Sequence, residues 1–161
     1  QSTTEMIEAG RVPQIDLKRE LAVQAACLEA AEAGLLNSAH DCSDGGLAIA
    51  LAECCFSSLN TSAIGAQVGL EGNLHVTSLL FGESPSRILI SFGTHSRAAI
   101  EEIALRNECP FTVLGQVVGA ELNITAGGQQ VINASVADLE NAWRTSLGNK
   151  LRAEALVASS Q

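Results

Sequence analysis

The strongest constraint on this fold is a join. The polar string Ala39-His40-Asp41-Cys42-Ser43-Asp44-Gly45-Gly46-Leu47 runs directly into an apolar stretch, Leu47 to Phe56. Two carboxylates, an imidazole, a thiol and a hydroxyl are crowded between His40 and Asp44. The apolar stretch reads as a buried helix, which puts the polar string at its start. The free N–H groups and positive dipole end of a helix favour phosphate. Glycines let a ligand approach the backbone closely, and an oxygen ligand such as Asp41 suits Mg²⁺.

The 161 residues are about one domain's worth, and 47% are hydrophobic. Only 3% are aromatic, so the core must be built from Ala, Leu, Ile and Val. The formal net charge is −9 and no Lys/Arg cluster occurs, which argues against a general nucleic-acid binder. Any phosphate must be held locally, by backbone amides and a metal. The five cysteines, Cys27, Cys42, Cys54, Cys55 and Cys109, are odd in number and form no C-x-x-C or Cys/His zinc spacing. They read as reduced, buried residues of a cytosolic protein. No signal peptide is recognisable, and no apolar run approaches the ~20 residues of a membrane span. The expected location is the cytoplasm, with neither membrane nor nucleic acid as partner.

Residues 1–15 read as a linker or the cut edge of a longer protein, 16–151 as one domain, and 152–161 as a frayed tail. Asp16 can cap a helix to about Leu36, with Leu17, Leu21, Ala25, Leu28 and Leu35 near helical spacing. A short strand, Ser38 to Asp41, leads into the polar string, and a helix, Leu47–Ser58, follows it. One strand is expected around Ala63–Val68, and 74–81 stays open between strand and short helix. Arg87–Phe92 alternates as a strand. Thr94 or Ser96 caps a helix to about Arg106, and Pro110 stops it. Phe111–Val118 is a further strand. Glu121–Ala126 and Gln129–Ala134 form a hairpin around Gly127-Gly128. Ser135-Val136-Ala137-Asp138 opens a last helix as a capping box, with an apolar stripe of Val136, Leu139, Trp143 and Leu147. The fold class is α+β, a mixed or antiparallel sheet flanked by helices.

These residues resemble a known family. Ser38 to Leu47, followed by Ala50-Leu51-Ala52-Glu53, is similar to the C-terminal domain of phosphoribosylformylglycinamidine (FGAM) synthase, an AIR synthase-related domain. Leu80-Phe81-Gly82-Glu83-Ser84-Pro85-Ser86-Arg87 is a second matching string, and Val113-Leu114-Gly115-Gln116-Val117 a weaker third. The resemblance covers about residues 16 to 150. It implies a ligase of de novo purine biosynthesis that uses ATP and Mg²⁺. ATP activates the amide oxygen of formylglycinamide ribonucleotide, and ammonia from glutamine displaces phosphate to give the amidine. The implied partners are the remaining synthetase domains of the same chain, a glutaminase subunit and a small PurS-type subunit. The short ending resembles the smaller form of the enzyme, and the chain looks like its second C-terminal-type domain.

By that likeness Asp41 stands at a metal position. Ser43, Asp44, Gly45, Gly46, Glu83 and Ser84 line a site for ATP or ADP that is a pseudo-active pocket, with no catalytic residue in this chain. Pro85 departs from the family's Glu-Ser-Gln triplet, which sets substrate binding by this copy aside. The isolated domain is expected to be inactive, and its interdomain face to be apolar and able to pair two copies. An alternative within the superfamily is the ATP-binding half of a selenophosphate synthetase-like or HypE-like protein, against which the Phe81-to-Arg87 string argues. A small interaction module unrelated to purine synthesis is a further alternative.

Each residue also has a plainer role. Asp41 can accept backbone N–H bonds, Ser43 or Asp44 can cap the helix, and Gly45 and Gly46 can permit close packing. Glu83 can satisfy backbone amides or pair with Arg87. His40 reads as a hydrogen-bonded structural residue, with no partner inferable from spacing. Nothing activates Cys42 as a nucleophile. His75 and His95 read as surface residues.

Overall fold

The computed structural model describes residues 14–58, 61–72 and 74–158. The expected linker therefore lies outside the described residues up to position 13, as do 159–161 of the expected tail.

The first helix, α1 (Leu17–Glu32), starts where the Asp16 carboxylate accepts from the Lys18 and Arg19 amides at 3.0 and 3.2 Å. It closes at Ala33. Its buried face is Val23, Ala26 and Ala30, while Leu17, Leu21 and Leu28 are exposed on roughly the opposite side. The helix thus has two apolar faces, and the small residues are the ones used inside. Ala26 and Ala30 pack against Ile103 of α4 (Arg97–Arg106), with Leu35, Leu36 and Cys109 around them, as a small separate core.

Strand β1 (Leu36–Asp41) pairs antiparallel with β3 (Ile88–Phe92), matching His40 with Leu89 and Asp41 with Ile88. This two-stranded ribbon is half-exposed along most of its length. The main sheet has order β4-β2-β5-β6, where β2 is Ala66–Leu70, β4 Gly115–Val117, β5 Glu121–Ala126 and β6 Gln129–Ser135. β2 runs parallel to β5 in a register that sets Ala66 beside Leu122, Val68 beside Ile124 and Leu70 beside Ala126. All six point inward. Because side chains alternate along a strand, this register gives one continuous aliphatic face. Helices α2 (Gly46–Cys55) and α3 (Val76–Phe81) belong to the same core, with Leu47, Leu51 and Leu80 buried in it. The class is α+β with a mixed sheet, as expected.

Of the two readings open for 74–81, the structure has the short helix, α3, its start closed by the His75 ring nitrogen accepting from the Thr77 amide at 3.3 Å. Several local expectations need correction. Neither Thr94 nor Ser96 caps α4 through its side chain; a 3₁₀ turn over Thr94–Ser96 leads in instead, and Ser96 is buried. Of the expected 111–118 strand only Gly115–Val117 forms a ladder with β2, flanked by bonds from the Gly69 amide to the Leu114 carbonyl and from the Val118 amide to the Gly65 carbonyl, while Phe111 meets Phe92, ring centroids 6.1 Å apart. The last helix, α5 (Val136–Ala158), continues past Arg152, where a frayed tail was expected. At its start the Asp138 amide donates to Ser135 Oγ at 3.4 Å, the first half of the capping box. Val136 is buried and Leu139 packs on the core, but Trp143 and Leu147 are exposed. No helix among the described residues is long and apolar enough to cross a membrane.

Candidate functional site

The site forms where β1 ends and α2 begins. Past Asp41 the chain is pinned by the Cys42 amide, which donates to the Arg87 carbonyl at 3.1 Å. This bond brings the string at 41–46 beside the string at 82–87. The Ser43 hydroxyl donates to Asp41 Oδ2 at 2.6 Å. That bond, more than a backbone hydrogen bond and the nearby His40, holds the Asp41 carboxyl below its ordinary pKa. Asp41, Ser43 and Asp44 are all exposed.

Neither Ser43 nor Asp44 caps the helix. The N-cap of α2 is Gly45, at φ 76°, with no side-chain cap from its own segment. Glu83 supplies the missing acceptor from another segment: the Gly45 amide donates to Glu83 Oε1 at 2.9 Å. A carboxylate at that end also suits the helix dipole. Gly46, at φ 68°, is a close approach as well as a left-handed turn. A Cβ there would stand 2.8 Å from the Phe81 carbonyl carbon and 2.9 Å from the Gly82 oxygen. The glycine pair therefore packs one string onto the other, and Glu83 satisfies a backbone amide rather than pairing with Arg87. The Arg87 side chain bonds the Gly82 and Ser84 carbonyls instead. Ser84 is exposed beside them.

The Asp41 and Asp44 carboxylates and the Ser43 hydroxyl are exposed at this corner, while Glu83 is engaged by the Gly45 amide. Among the described residues no group of three or more His, Cys, Asp or Glu side chains could hold a metal. This donor set fits Mg²⁺ only in the way that ion is commonly held, by one or two carboxylates with phosphates and waters completing the octahedron.

His40 stands between the site and α2, its Nδ1 3.7 Å from Asp41 Oδ1. Its Nδ1 lies 2.6 Å from the Asp41 carbonyl and its Nε2 3.1 Å from Glu53. The second Glu53 oxygen accepts from Trp143 Nε1 at 2.9 Å. With Phe56, Ser57 and Arg144 these residues line an open groove of about 310 Å³. Sequence reasoning missed this cluster, because Glu53 and Trp143 meet His40 only once α2 and α5 have packed. The cysteines carry no nucleophile. Cys42 and Cys55 are buried, and burial raises every thiol, that of Cys54 up to about 11.

The region that contains both strings matches a known family. The family described as "AIR synthase related protein, C-terminal domain" matches residues 2–126. This chain belongs to that family. A relative from Anaeromyxobacter dehalogenans, "Phosphoribosylformylglycinamidine synthase subunit PurL", is 41% identical over 157 residues, 94% of this chain and 20% of its own length. The same-named protein of Moorella thermoacetica is 39% identical over 86% of this chain and 18% of its own. The chain thus spans about a fifth of the length of the curated relatives it matches. Among solved structures, phosphoribosylformylglycinamidine synthase II from Thermotoga maritima superposes with a TM-score of 0.69, at 24% identity over 80% of this chain and 22% of that one. T. maritima PurL complexed with ATP gives 0.64 over 74% of this chain and 21% of that one. These likenesses show the fold.

Proposed function

We propose that this chain is a C-terminal-type domain of FGAM synthase, the ATP-dependent ligase that amidates formylglycinamide ribonucleotide, and that it forms one wall of a nucleotide pocket without doing the chemistry. The observation that carries this reading is the join of the two strings, the Gly45 amide held by Glu83 and Gly46 seated on Phe81 and Gly82. A corner built this way presents Asp41, Ser43 and Asp44 to the outside on a rigid base. Asp41 with Ser43 would hold Mg²⁺, which neutralises phosphate charge when bound. Ser43, Asp44, Gly45, Gly46, Glu83 and Ser84 would border ATP or ADP. Relatives named PurL, and PurL neighbours bound to ATP and ADP, support the reading.

The rest of the pocket belongs to other domains of the synthetase chain. The exposed Leu17, Leu21 and Leu28 on α1, and Trp143, Leu147 and Leu151 on α5, are apolar surface for such domains or for a second copy. A glutaminase subunit and a small PurS-type subunit are the proposed further partners, and a neighbour solved as PurLQS supports a multi-subunit assembly.

The test uses the longest natural polypeptide that carries this sequence. Asp41→Ala should weaken Mg²⁺·ADP binding in calorimetry about tenfold or more, in line with loss of a charged ligand. Unchanged affinity and unchanged melting temperature would refute the metal role. The 161-residue chain alone should turn over neither ATP nor formylglycinamide ribonucleotide; turnover would refute the non-catalytic reading.

A further inference from the structure

We infer that Arg87 is the positioning residue of this corner, the group that folds the 82–86 loop so that Glu83 reaches the start of α2. Arg87 closes the second string and is half-buried under it. Its Nε donates to the Ser84 carbonyl at 3.2 Å and its terminal nitrogen donates to the Gly82 carbonyl. Its own carbonyl accepts from the Cys42 amide at 3.1 Å. One residue thus grips the loop on both sides of Glu83 with its side chain, and the polar string with its backbone.

The loop needs such a grip. Ser86 stands at φ 61°, a left-handed conformation unusual for a residue with a Cβ. It is held there partly by its hydroxyl, which donates to Glu20 Oε2 on α1 at 2.6 Å. With Pro85 before it and Arg87 after it, this turn returns the chain into β3. Two carbonyls on alternate residues suit the planar fork of a guanidinium. A lysine ammonium carries the same charge but lacks that geometry. Arg87 therefore acts through shape: it makes no recorded bond to Glu83, yet it fixes the two peptide units that flank it. The loop geometry stands by itself, while its consequence for nucleotide rests on the reading proposed above.

The experiment compares Arg87→Lys and Glu83→Ala with the wild type in the longest natural polypeptide carrying this sequence. Hydrogen exchange at the Gly45 amide and the affinity for Mg²⁺·ADP are read together. Arg87→Lys should speed Gly45 exchange about tenfold, the effect of one lost hydrogen bond, and weaken Mg²⁺·ADP by a similar factor. Glu83→Ala should speed the same amide with Arg87 intact. The Leu122 and Ile124 amides should keep their protection in both variants. Retained protection at Gly45 in Arg87→Lys would overturn the assignment. So would global unfolding of that variant, since Arg87 would then be a determinant of folding and not of one loop. If the wild type binds no Mg²⁺·ADP while Arg87→Lys still exposes Gly45, the nucleotide reading falls and the assignment stands.

Discussion

The two cores of this domain differ in kind. Around the main sheet, aliphatic side chains from β2, β5, α2, α3 and α5 close a continuous interior in which Leu122 and Ile124 are almost fully removed from water. Around the β1–β3 ribbon, two alanines of α1 and Ile103 of α4 make a thin contact, and most ribbon residues stay half-exposed. The candidate site lies on the boundary. Its helix, α2, is rooted in the dense core, while Asp41 and Arg87 stand at the ends of the thin ribbon's strands. The start of α2 is thereby faced by a carboxylate and a loop from the thinner side, and the bonds at Glu83 and Arg87 join the halves. The comparison teaches that stability and site geometry are set by different contacts.

Mutations can break that division. Ile124→Ala, in the dense core, should cost about 2–5 kcal/mol in chemical unfolding, through lost burial and a residual cavity. Ile103→Ala should fall at the low end of that range, since a thin contact collapses more readily around the gap. An Ile103 cost equal to the Ile124 cost would erase the contrast. Gly46→Ala should cost about 1–3 kcal/mol, from a left-handed φ and from overlap with Phe81 and Gly82. It should also disturb the Glu83 bond, seen as a shift of the Gly45 amide resonance. Asp16→Ala should cost about 1 kcal/mol through loss of the α1 cap, with no change at the site.

The smallest expected effect is one of pH. The folded pKa of Asp41 is lowered, chiefly by the Ser43 hydroxyl. The stabilisation this gives is present above the ordinary carboxylate pKa of about 4 and is lost as pH falls through the lower folded value. In Ser43→Ala, carboxyl resonances should show Asp41 titrating at higher pH than in the wild type. An unmoved midpoint would show that the backbone, not Ser43, sets it.

Much of the fold was legible because local pattern and tertiary demand agreed. Gly127-Gly128 between alternating runs marks the β5–β6 hairpin, and the unbroken apolar run after Gly46 marks α2. The resemblance singles out the strings that carry Asp41 and Glu83, and in the structure these two strings are bonded to each other. What stayed hidden depends on long-range partners. Local spacing offers Ser43 or Asp44 as the cap of α2, whereas the acceptor for the Gly45 amide is Glu83, 38 residues on. The leucine stripe of α1 has the right spacing for a buried face, but the spacing cannot say which of two apolar faces the domain uses. Phe111 to Leu114 has strand-like composition, yet Phe111 meets Phe92 and the ladder with β2 starts only at Gly115. The Glu53 bridge between His40 and Trp143 joins three elements, and no local signal marks it.

Asp41, Ser43 and the Gly45-Gly46 turn are proposed to form one wall of a metal-nucleotide pocket. A crystal structure of the longest natural polypeptide carrying this sequence, grown with Mn²⁺ and ADP, tests it most directly through the anomalous signal of manganese. A manganese peak in coordination contact with the Asp41 carboxylate is expected, with phosphate density beside Ser43 and the glycine pair. Nucleotide and manganese bound elsewhere, with Asp41 still bonded only to Ser43, would contradict it.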